Sequence, residues 1–401
     1  MSDQQFLWEK IKDESYCDPS RRMDFVLLFD VKDGNPNGDP DAGNLPRMDP
    51  SDRHGIVTDV CIKRKIRDYF AVVLQRPIFI QSQDALNTLY FRAASGVPEA
   101  KKHVVELDFS GNNLKEVLTF DKKGTKVEPT DDQLEAVHEW LSLLDVEGFE
   151  YHTDDSKLTY FGEAKKKDAF KQLLETDESD KQQIPEYTTE RLAIALDNEK
   201  KNMGGSKLDR NVRDKVKTKM RELYDDIRLF GAVLTAGTNA GQIRGPMQLT
   251  YARSINPILQ LDAAITRCAI TKESDRGRKE TEFGRKPWLS YAAYRQYGFF
   301  NAPIADQVTR EDLARFWEAI ACMFPNSASA SKGLMATRDL VVFVHPNCRG
   351  VAPSHKLFEL INIVEKNKGD PSIKIIDGGK DKLQGMGIDI CRPLSDMWPD
   401  L

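Results

Sequence analysis

The loop that begins at Asp33 carries residue types that could bind a cation or a phosphate. Its sequence, DGNPNG, places Asp33, Asn35 and Asn37 at alternating positions before a glycine, which is how a calcium-binding loop opens. The match then ends, because position twelve is Asn44 rather than Glu, two prolines intrude, and a strand-like run precedes the loop instead of a helix. Two other interpretations stay open. The Asn, Asp and Gly residues build consecutive turns, or the exposed amides contact a phosphate backbone.

Clusters of basic residues recur along the chain, several of them beside the aromatic residues Tyr69, Tyr251, Trp288 and Tyr291. A groove for single-stranded nucleic acid combines cations along the backbone with rings near the bases. Each cluster alone is more typical of a solvated surface, and only their recurrence favours binding. The candidate nucleic-acid-binding residues in these clusters are Lys63, Arg64, Arg67, Arg244, Arg253, Arg276, Arg278, Lys279, Arg285 and Lys286.

The sequence contains no assembled catalytic motif. Its six histidines never show the H-E-x-x-H spacing, and the chain lacks G-x-S-x-G, a P-loop and a G-x-G-x-x-G run that opens a suitable helix. Acidic residues of the 30–41 loop could gather a divalent ion for phosphodiester chemistry, although sequence alone does not bring them together. We therefore expect no catalytic residue, no metal and no cofactor, with metal-dependent cleavage as the alternative.

The composition predicts a cytoplasmic chain with a substantial core. The 401 residues are 40% hydrophobic and 30% charged, and this length suggests about two or three domains. No run approaches the roughly 18 apolar residues that span a bilayer, and the start lacks the apolar core of a signal peptide. The six cysteines lie far apart, which favours a reducing compartment. Residues 121–200 hold 21 acids against 11 bases, so a mildly basic body carries one acidic segment.

Hydrophobic patterns predict the elements that position the loop. The run MDFVLLFDV at 23–31 predicts a buried strand that ends where the loop begins. Thr58 predicts a helix N-cap, and Ile62, Ile66 and Phe70 give that helix one apolar face. The basic residues of its KRKIR run then fall on the opposite side of the helix or on its flank.

The remaining pattern predicts an α+β fold. Two strand-like runs, 263–271 and 289–300, flank a polar and basic excursion at 272–288, which predicts a protruding hairpin. The other predicted elements are a strand at 78–80, an inserted, mostly helical acidic subdomain at 100–205 with its exit hinge at Gly204-Gly205, a basic helix from 207 to about 234, an interrupted edge strand after Gly241, a helix capped by Thr309 and a strand at 339–345.

Four long motifs carry a resemblance to a known family. They are FVLLFDVKDGNPNGDPDAGNLPRMDP (25–50), GIVTDVCIKRKIRDY (55–69), DIRLFGAVLTAGTNAGQIRGPMQLTYARSINPI (226–258) and GRKPWLSYAAYRQYGFFNA (284–302). In their order and spacing over about 1–95 and 205–365, they resemble the CRISPR-associated backbone subunit of Cascade. The match is to the type I-C form of this guide-RNA-binding, repeat-associated family. The acidic stretch at 100–205 is longer than the family pattern.

The resemblance implies a fold and a set of contacts. The fold is α+β, with a modified RNA-recognition-motif (ferredoxin-like) palm formed by 1–99 and 206–401, the inserted subdomain 100–205, and a thumb hairpin at about 268–290. The family's loop-and-helix motif falls on Asn35, Asn37, Arg47, Lys63, Arg64 and Arg67, and its glycine-arginine motif falls on Arg244. Contacts inside the thumb do not transfer residue by residue.

The resemblance also implies a function without catalysis. Copies bind head to tail along one guide RNA (crRNA) as an open filament, holding its backbone so that the bases pair with target DNA. The implied partners are the subunit that caps the 5′ handle, the large and small subunits, and a recruited helicase-nuclease, with no membrane. The alternative is a metal-dependent ribonuclease, because type III relatives cleave RNA with an aspartate in the loop where Asp33 and Asp39 stand here.

Overall fold

The chain divides into two compact units in the computed structural model. The first consists of Met1–Pro77, Arg228–Gly231 and Arg244–Leu401, and the second of Ile78–Ile227 and Ala232–Ile243. The structure describes residues 6–82, 86–120, 125–144, 146, 148–161, 165–175, 184–202, 210–234, 241–267, 282–365 and 369–400.

The described residues form both strands and helices. The strands are β1 Met23–Gly34, β2 Gly38–Asp39, β3 Leu45–Pro46, β4 His54–Val57, β5 Val105–Asp108, β6 Phe149–His152, β7 Lys157–Tyr160, β8 Gly231–Leu234, β9 Gly241–Arg244, β10 Met247–Leu249, β11 Ala252–Pro257, β12 Leu261–Arg267, β13 Glu282–Phe300, β14 Leu334–Val344, β15 Ile361–Glu365, β16 Pro371–Ile375 and β17 Asp389–Cys391. The helices are α1 Leu7–Ile11, α2 Asp59–Val72, α3 Leu86–Ser95, α4 Asn113–Leu118, α5 Asp131–Ser142, α6 Lys167–Glu175, α7 Thr188–Asn202, α8 Arg210–Leu223, α9 Asp225–Phe230, α10 Arg310–Asn326, α11 Ser354–Phe358, α12 Gly379–Gly385 and α13 Pro393–Met397.

Eight described strands of the first unit form one sheet. Its order is β17-β14-β1-β13-β11-β4, and β10 and β12 also pair with β13. Each pairing is antiparallel. The four middle strands and two helices follow one another along the chain as β1-α2-β11-β13-α10-β14. This mixture of helices with a large antiparallel sheet confirms the predicted α+β class.

Strand β1 is buried on both of its faces. On one face Phe25 packs edge to face on Trp317 of α10, with ring centroids 5.1 Å apart. On the other face Val26 and Leu28 belong to a cluster that includes Leu357 of α11. A strand covered on both faces is apolar without alternation, so the predicted buried strand at 23–31 is confirmed.

The ring of Phe25 leaves no room for a side chain at Gly298, which lies opposite it in the ladder. A Cβ on Gly298 would collide with three carbons of this fully buried ring. We expect Gly298→Ala to lower the free energy of unfolding by about 1–3 kcal/mol, the usual cost of overpacking a core, as measured by urea denaturation. Gly385→Ala is the control, because a Cβ there meets no atom within 4 Å. Equal midpoints for the two variants would contradict this account.

Two predicted helix starts are confirmed by side-chain caps. The Thr58 hydroxyl accepts a hydrogen bond from the Cys61 amide at the start of α2. Thr309 begins α10 with a capping box, in which its hydroxyl accepts from the Asp312 amide and the Asp312 carboxylate accepts from the Thr309 amide. Both caps depend on residues three positions apart, so local sequence was enough to predict them.

Two predicted elements between the motifs are wrong. The 78–80 run is not a strand, because the amides of Phe79 and Ile80 donate to the Asp226 carboxylate at 2.7 and 3.1 Å. The basic helix predicted to reach about 234 ends at Leu223, and α9 and β8 follow. Gly231, with φ of 71°, ends α9 in the left-handed conformation that favours glycine.

The second unit has its own cores. Strands β5, β7 and β6 form an antiparallel sheet, and α5, α6 and α7 pack with it around Trp140, Phe170 and Leu196. The range 100–205 lies inside this unit, which extends further at both ends and contains this sheet as well as helices. In the described part of the chain, no helix combines the length and the apolar character needed to cross a bilayer.

Candidate nucleic-acid interface

The loop between β1 and α2 is held in place by its own amide side chains. Asn37 Oδ1 accepts hydrogen bonds from the Thr58 amide and hydroxyl, both at 3.0 Å, and so ties the loop to the start of α2. The buried Asn35 donates through Nδ2 to the Asn44 carbonyl at 2.7 Å. Its backbone amide donates to the Ser331 carbonyl at 2.8 Å. These contacts fit the turn-building interpretation of the loop, and they fix which side chains face solvent.

The loop, α2 and the segment before β14 enclose a cleft of about 820 Å³, here called the loop cleft. It lies where β1 ends, because Lys32 pairs with Leu334 in the β1–β14 ladder. Tyr251 lies in its wall with 58% of its surface exposed, so one ring is accessible to a ligand. The cleft is lined by Asn37, Arg47, Thr58, Val60, Cys61, Arg64, Lys65, Asp68, Tyr251, Asn326, Ser327, Ala328 and Lys332.

Four cations and one carboxylate line the loop cleft, which makes it electropositive. Arg64 pairs with that carboxylate, Asp68, at 2.7 Å. The Lys65 ammonium donates to the Ser327 hydroxyl at 2.8 Å, and burial lowers its pKa. Lys332 donates to the Pro36 carbonyl at 3.4 Å. Lys65 and Lys332 donate to neutral oxygens, so their charges stay available to an anion.

The family model of the CRISPR-associated protein Cas7 matches residues 21–139 and 160–378, which include every side chain that lines the loop cleft. The chain belongs to the Cas7 family.

Individual relatives of this Cas7-family chain match it over different lengths. It is 47% identical over 47 residues to the CRISPR-associated protein Cas7 of Haloferax volcanii, which is 12% of this chain and 14% of that protein. The chain therefore spans a small part of this curated relative. A pre-nicking CRISPR RNA-guided surveillance complex contains a chain 15% identical, with a TM-score of 0.42 over 94% of this chain and 90% of that one. For another CRISPR RNA-guided surveillance complex the values are 12%, 0.37, 86% and 82%.

The basic residues of α2 in this Cas7-family chain lie on two different faces. Arg64 lines the loop cleft, whereas Lys63 and Arg67 lie over the ring of Phe230, at 5.7 and 5.4 Å from its centroid. Lys63 also pairs with Asp59 at 3.0 Å. The prediction that Arg67 lies on the exposed side or flank of the helix is wrong, because only 8% of its surface is exposed. The spacing of four residues aligns Lys63 with Arg67.

Arg253 lies outside the loop cleft, in a cleft of about 310 Å³ beside His54 and Arg295. Its guanidinium pairs with Asp49 at 3.0 Å and with Asp52 at 2.7 Å. Hydrogen bonds from Ser51 and from Arg253 lower the pKa of Asp49 to about 2. Arg253 therefore braces the turn before β4, and its charge is balanced there.

Arg244 lines a third cleft, of about 470 Å³, here called the Arg244 cleft. It lies at the opposite end of β1, since its wall includes Arg22 and Phe300, and Phe300 pairs with Met23. Arg244 thus lines a different cleft from Arg47 and Arg64.

The predicted thumb is described only at its base. Strand β12 pairs with the first part of β13, and Arg267 lies opposite Glu282, so the ends of the intervening segment are adjacent. Residues 282–288, predicted as excursion, are strand. Arg285 is 82% exposed and pairs with Asp262 at 2.6 Å. Arg276, Arg278 and Lys279 lie outside the described residues, and Lys286 lies one position further along β13, on the other face of the ribbon.

Two cations of the loop cleft, Lys65 and Lys332, were not among the residues predicted from the sequence. Lys65 stands inside the KRKIR run, but an apolar-face pattern does not show which of its lysines turns toward a cleft. Lys332 follows a serine-rich stretch with no motif. The β1–β14 pairing and the hydrogen bond from the Asn35 amide to the Ser331 carbonyl bring it to the loop. Arg47, which the resemblance implies, lines the cleft and pairs with Asp39 at 3.4 Å.

The two aspartates of the ribonuclease alternative, Asp33 and Asp39, have different surroundings. Asp33 is exposed with φ of 53° at the end of β1. Asp39 accepts from the Asp41 amide as the cap of a short 3₁₀ turn and pairs with Arg47. Among the described residues, no group of three or more His, Cys, Asp or Glu side chains is arranged to hold a metal ion.

Proposed function

We propose that this chain is a non-catalytic, crRNA-binding backbone subunit of a type I-C Cascade surveillance complex. The observation that carries the proposal is the loop cleft, an electropositive groove with an exposed tyrosine that lies within the residues matched by the Cas7 model. Such a groove suits a single strand held by its phosphates, with bases free to stack or to pair. The guide then presents its bases to target DNA, and sequence reading is delegated to pairing.

The sheet supports a palm of the RNA-recognition type. The succession β1-α2-β11-β13-α10-β14, with spatial order β14-β1-β13-β11, is the antiparallel β-α-β-β-α-β arrangement. In this palm, Arg47, Arg64, Lys65 and Lys332 contact guide phosphates. Asn35 and Asn37 hold the loop, Arg253 braces it, and Lys63 and Arg67 act through the helix. Arg285 and Lys286 lie at the base of the thumb.

The partners follow from a filament of copies along the guide. A heterologous contact between copies leaves an open assembly, which the capping, large and small subunits then complete, and the helicase-nuclease cuts the DNA. The inserted segment 100–205 faces partners or solvent and does not line the guide channel. The exposed side of α5 carries Asp131, Asp132, Glu135 and Glu139, and a surface of this charge repels a phosphate backbone. Deleting 100–205 tests this role: the first unit should still fold and bind RNA.

Substitutions at Asn37 separate loop geometry from cleft charge. Asn37→Ala removes the acceptor for Thr58, and we expect a loss of about 1 kcal/mol in the free energy of unfolding. Asn37→Asp keeps an acceptor oxygen but adds a negative charge to the cleft. It should therefore unfold like the wild type and still bind RNA roughly tenfold more weakly. Thermal unfolding and fluorescence polarisation measure the two effects. Wild-type affinity of Asn37→Asp would place the RNA elsewhere.

A cleavage assay tests the absence of catalysis. Purified protein is incubated with labelled guide and target RNA, with Mg²⁺ or Mn²⁺ or with chelator. We expect intact RNA under all three conditions, with Asp33→Ala and Asp39→Ala matching the wild type. Metal-dependent cleavage that either substitution abolishes would establish the ribonuclease alternative and refute the proposal.

A further inference from the structure

Asp68 is the one carboxylate among the described residues that line the loop cleft, and its side chain is 44% exposed. Arg64 donates to Asp68 Oδ1 through Nε at 2.9 Å, and its Nη2 pairs with the same oxygen at 2.7 Å. In the described part of the chain, the other oxygen, Oδ2, accepts no hydrogen bond. The cleft therefore contains a negatively charged acceptor that is open to a ligand.

Other side-chain acceptors in the lining already bind protein donors. Asn37 Oδ1 accepts two hydrogen bonds from Thr58, both at 3.0 Å. The Ser327 hydroxyl accepts from the Lys65 ammonium at 2.8 Å. Hydrogen bonds to an ionised acceptor are stronger than those to a neutral one, so Asp68 is the strongest acceptor that the lining leaves for a ligand.

The ion pair between Arg64 and Asp68 is a weak structural reason for a carboxylate at this position. Exposed pairs contribute little to stability, because water and salt screen them. On a helix, the order with the base four residues before the acid is also the less favourable one. Toward a phosphate backbone the carboxylate is repulsive. A carboxylate in a phosphate-binding groove therefore favours contact with a hydrogen-bond donor of the ligand.

A single nucleic-acid strand offers two kinds of donor, base edges and the ribose 2′-hydroxyl. Base donors differ from base to base, so a groove that holds guides of any sequence cannot depend on them. The 2′-hydroxyl is present at each ribose and absent from DNA. We infer that Asp68 gives the loop cleft its preference for RNA over DNA, by accepting a hydrogen bond from a ribose 2′-hydroxyl through Oδ2. The inference rests on the proposed function and adds a selectivity that phosphate contacts do not supply.

The test uses the full chain and three fluorescein-labelled uridine oligomers of equal length: RNA, 2′-deoxy and 2′-fluoro. The 2′-fluoro oligomer keeps the sugar pucker of RNA but has no hydroxyl to donate. The wild type should bind RNA about tenfold more tightly than either of the others. Asp68→Ala should lower this preference to below about threefold and bind the 2′-deoxy oligomer more tightly than the wild type does, because the repulsion is gone. Asp68→Asn keeps a neutral acceptor and should show an intermediate preference.

Glu311→Ala is the matched control, because it also removes an exposed carboxylate from a pair with an arginine four residues away, and it should behave like the wild type. A wild-type preference retained by Asp68→Ala overturns the inference. An equal change for all three oligomers overturns it too, since Asp68 would then only offset charge or hold Arg64. So does a wild type that binds 2′-fluoro RNA as tightly as RNA. Failure of the proposed function looks different, because RNA would then bind an Arg64→Glu and Lys332→Glu protein as tightly as the wild type.

Discussion

Replacing Arg64 and Lys332 together by glutamate should weaken guide RNA binding by at least about 100-fold at moderate salt, since each cation lost from a phosphate contact costs about 1.5–3 kcal/mol. Both side chains line the loop cleft. The slope of log affinity against log salt should also fall by about 0.7 for each phosphate contact removed. Fluorescence polarisation over a salt series measures both quantities.

The loss should be the same for guides of unrelated sequence, because the cleft holds the backbone and not the base edges. Lys380→Glu on α12 supplies the matched control and should retain wild-type affinity and slope. A double variant that binds normally, or that fails only with particular sequences, would remove the loop cleft from the account.

Asp312→Ala should lower the free energy of unfolding by about 3–5 kcal/mol, the typical cost of breaking a buried ion pair from one side. Arg228 donates to the two Asp312 oxygens through Nε and Nη2, both at 2.8 Å, and both residues are buried. The substitution leaves the guanidinium without its carboxylate and also removes half of the capping box of α10. Urea denaturation of the two proteins measures the difference.

The same pair gives stability a pH dependence. Burial alone would raise the pKa of Asp312, but the hydrogen bonds and charge of Arg228 outweigh burial and hold it below its ordinary value. This contribution is therefore present above the unfolded pKa and is lost as the pH falls through the folded pKa. Glu311→Ala is the control, because Glu311 is exposed and its pair with Arg315 should contribute about 0–1 kcal/mol. Equal destabilisation by both substitutions would contradict the role of the pair.

Local features of the fold were predictable from sequence, and contacts between distant segments were not. The caps at Thr58 and Thr309 each involve a residue only three positions further along the chain. The buried run of β1 is apolar because both faces are covered, and that pattern is visible in sequence. The strand prediction for 78–80 is wrong because amides in this run donate to the Asp226 carboxylate, about 150 positions away. Nothing in the local sequence indicates that partner.

The same distinction between local sequence and distant contacts applies to the candidate site. Arg47 and Arg64 stand near Asn37 in sequence and do line one cleft. Lys332 reaches the cleft through contacts between distant segments, the register of β14 on β1 and the hydrogen bond from the Asn35 amide to the Ser331 carbonyl, which a sequence pattern does not supply. Arg67 is turned inward because Phe230 comes from a distant segment and packs on that face of α2.

The central claim is tested most directly by the RNA that the protein carries. The chain is co-expressed with a CRISPR array and its partner subunits, the complex is purified, and the bound RNA is extracted and sized. The account predicts one discrete length for every spacer sequence in the array, unchanged by Mg²⁺, and its loss from complexes that contain the Arg64→Glu and Lys332→Glu subunit. Purification without RNA, or with RNA of random length that the double variant retains, would contradict it.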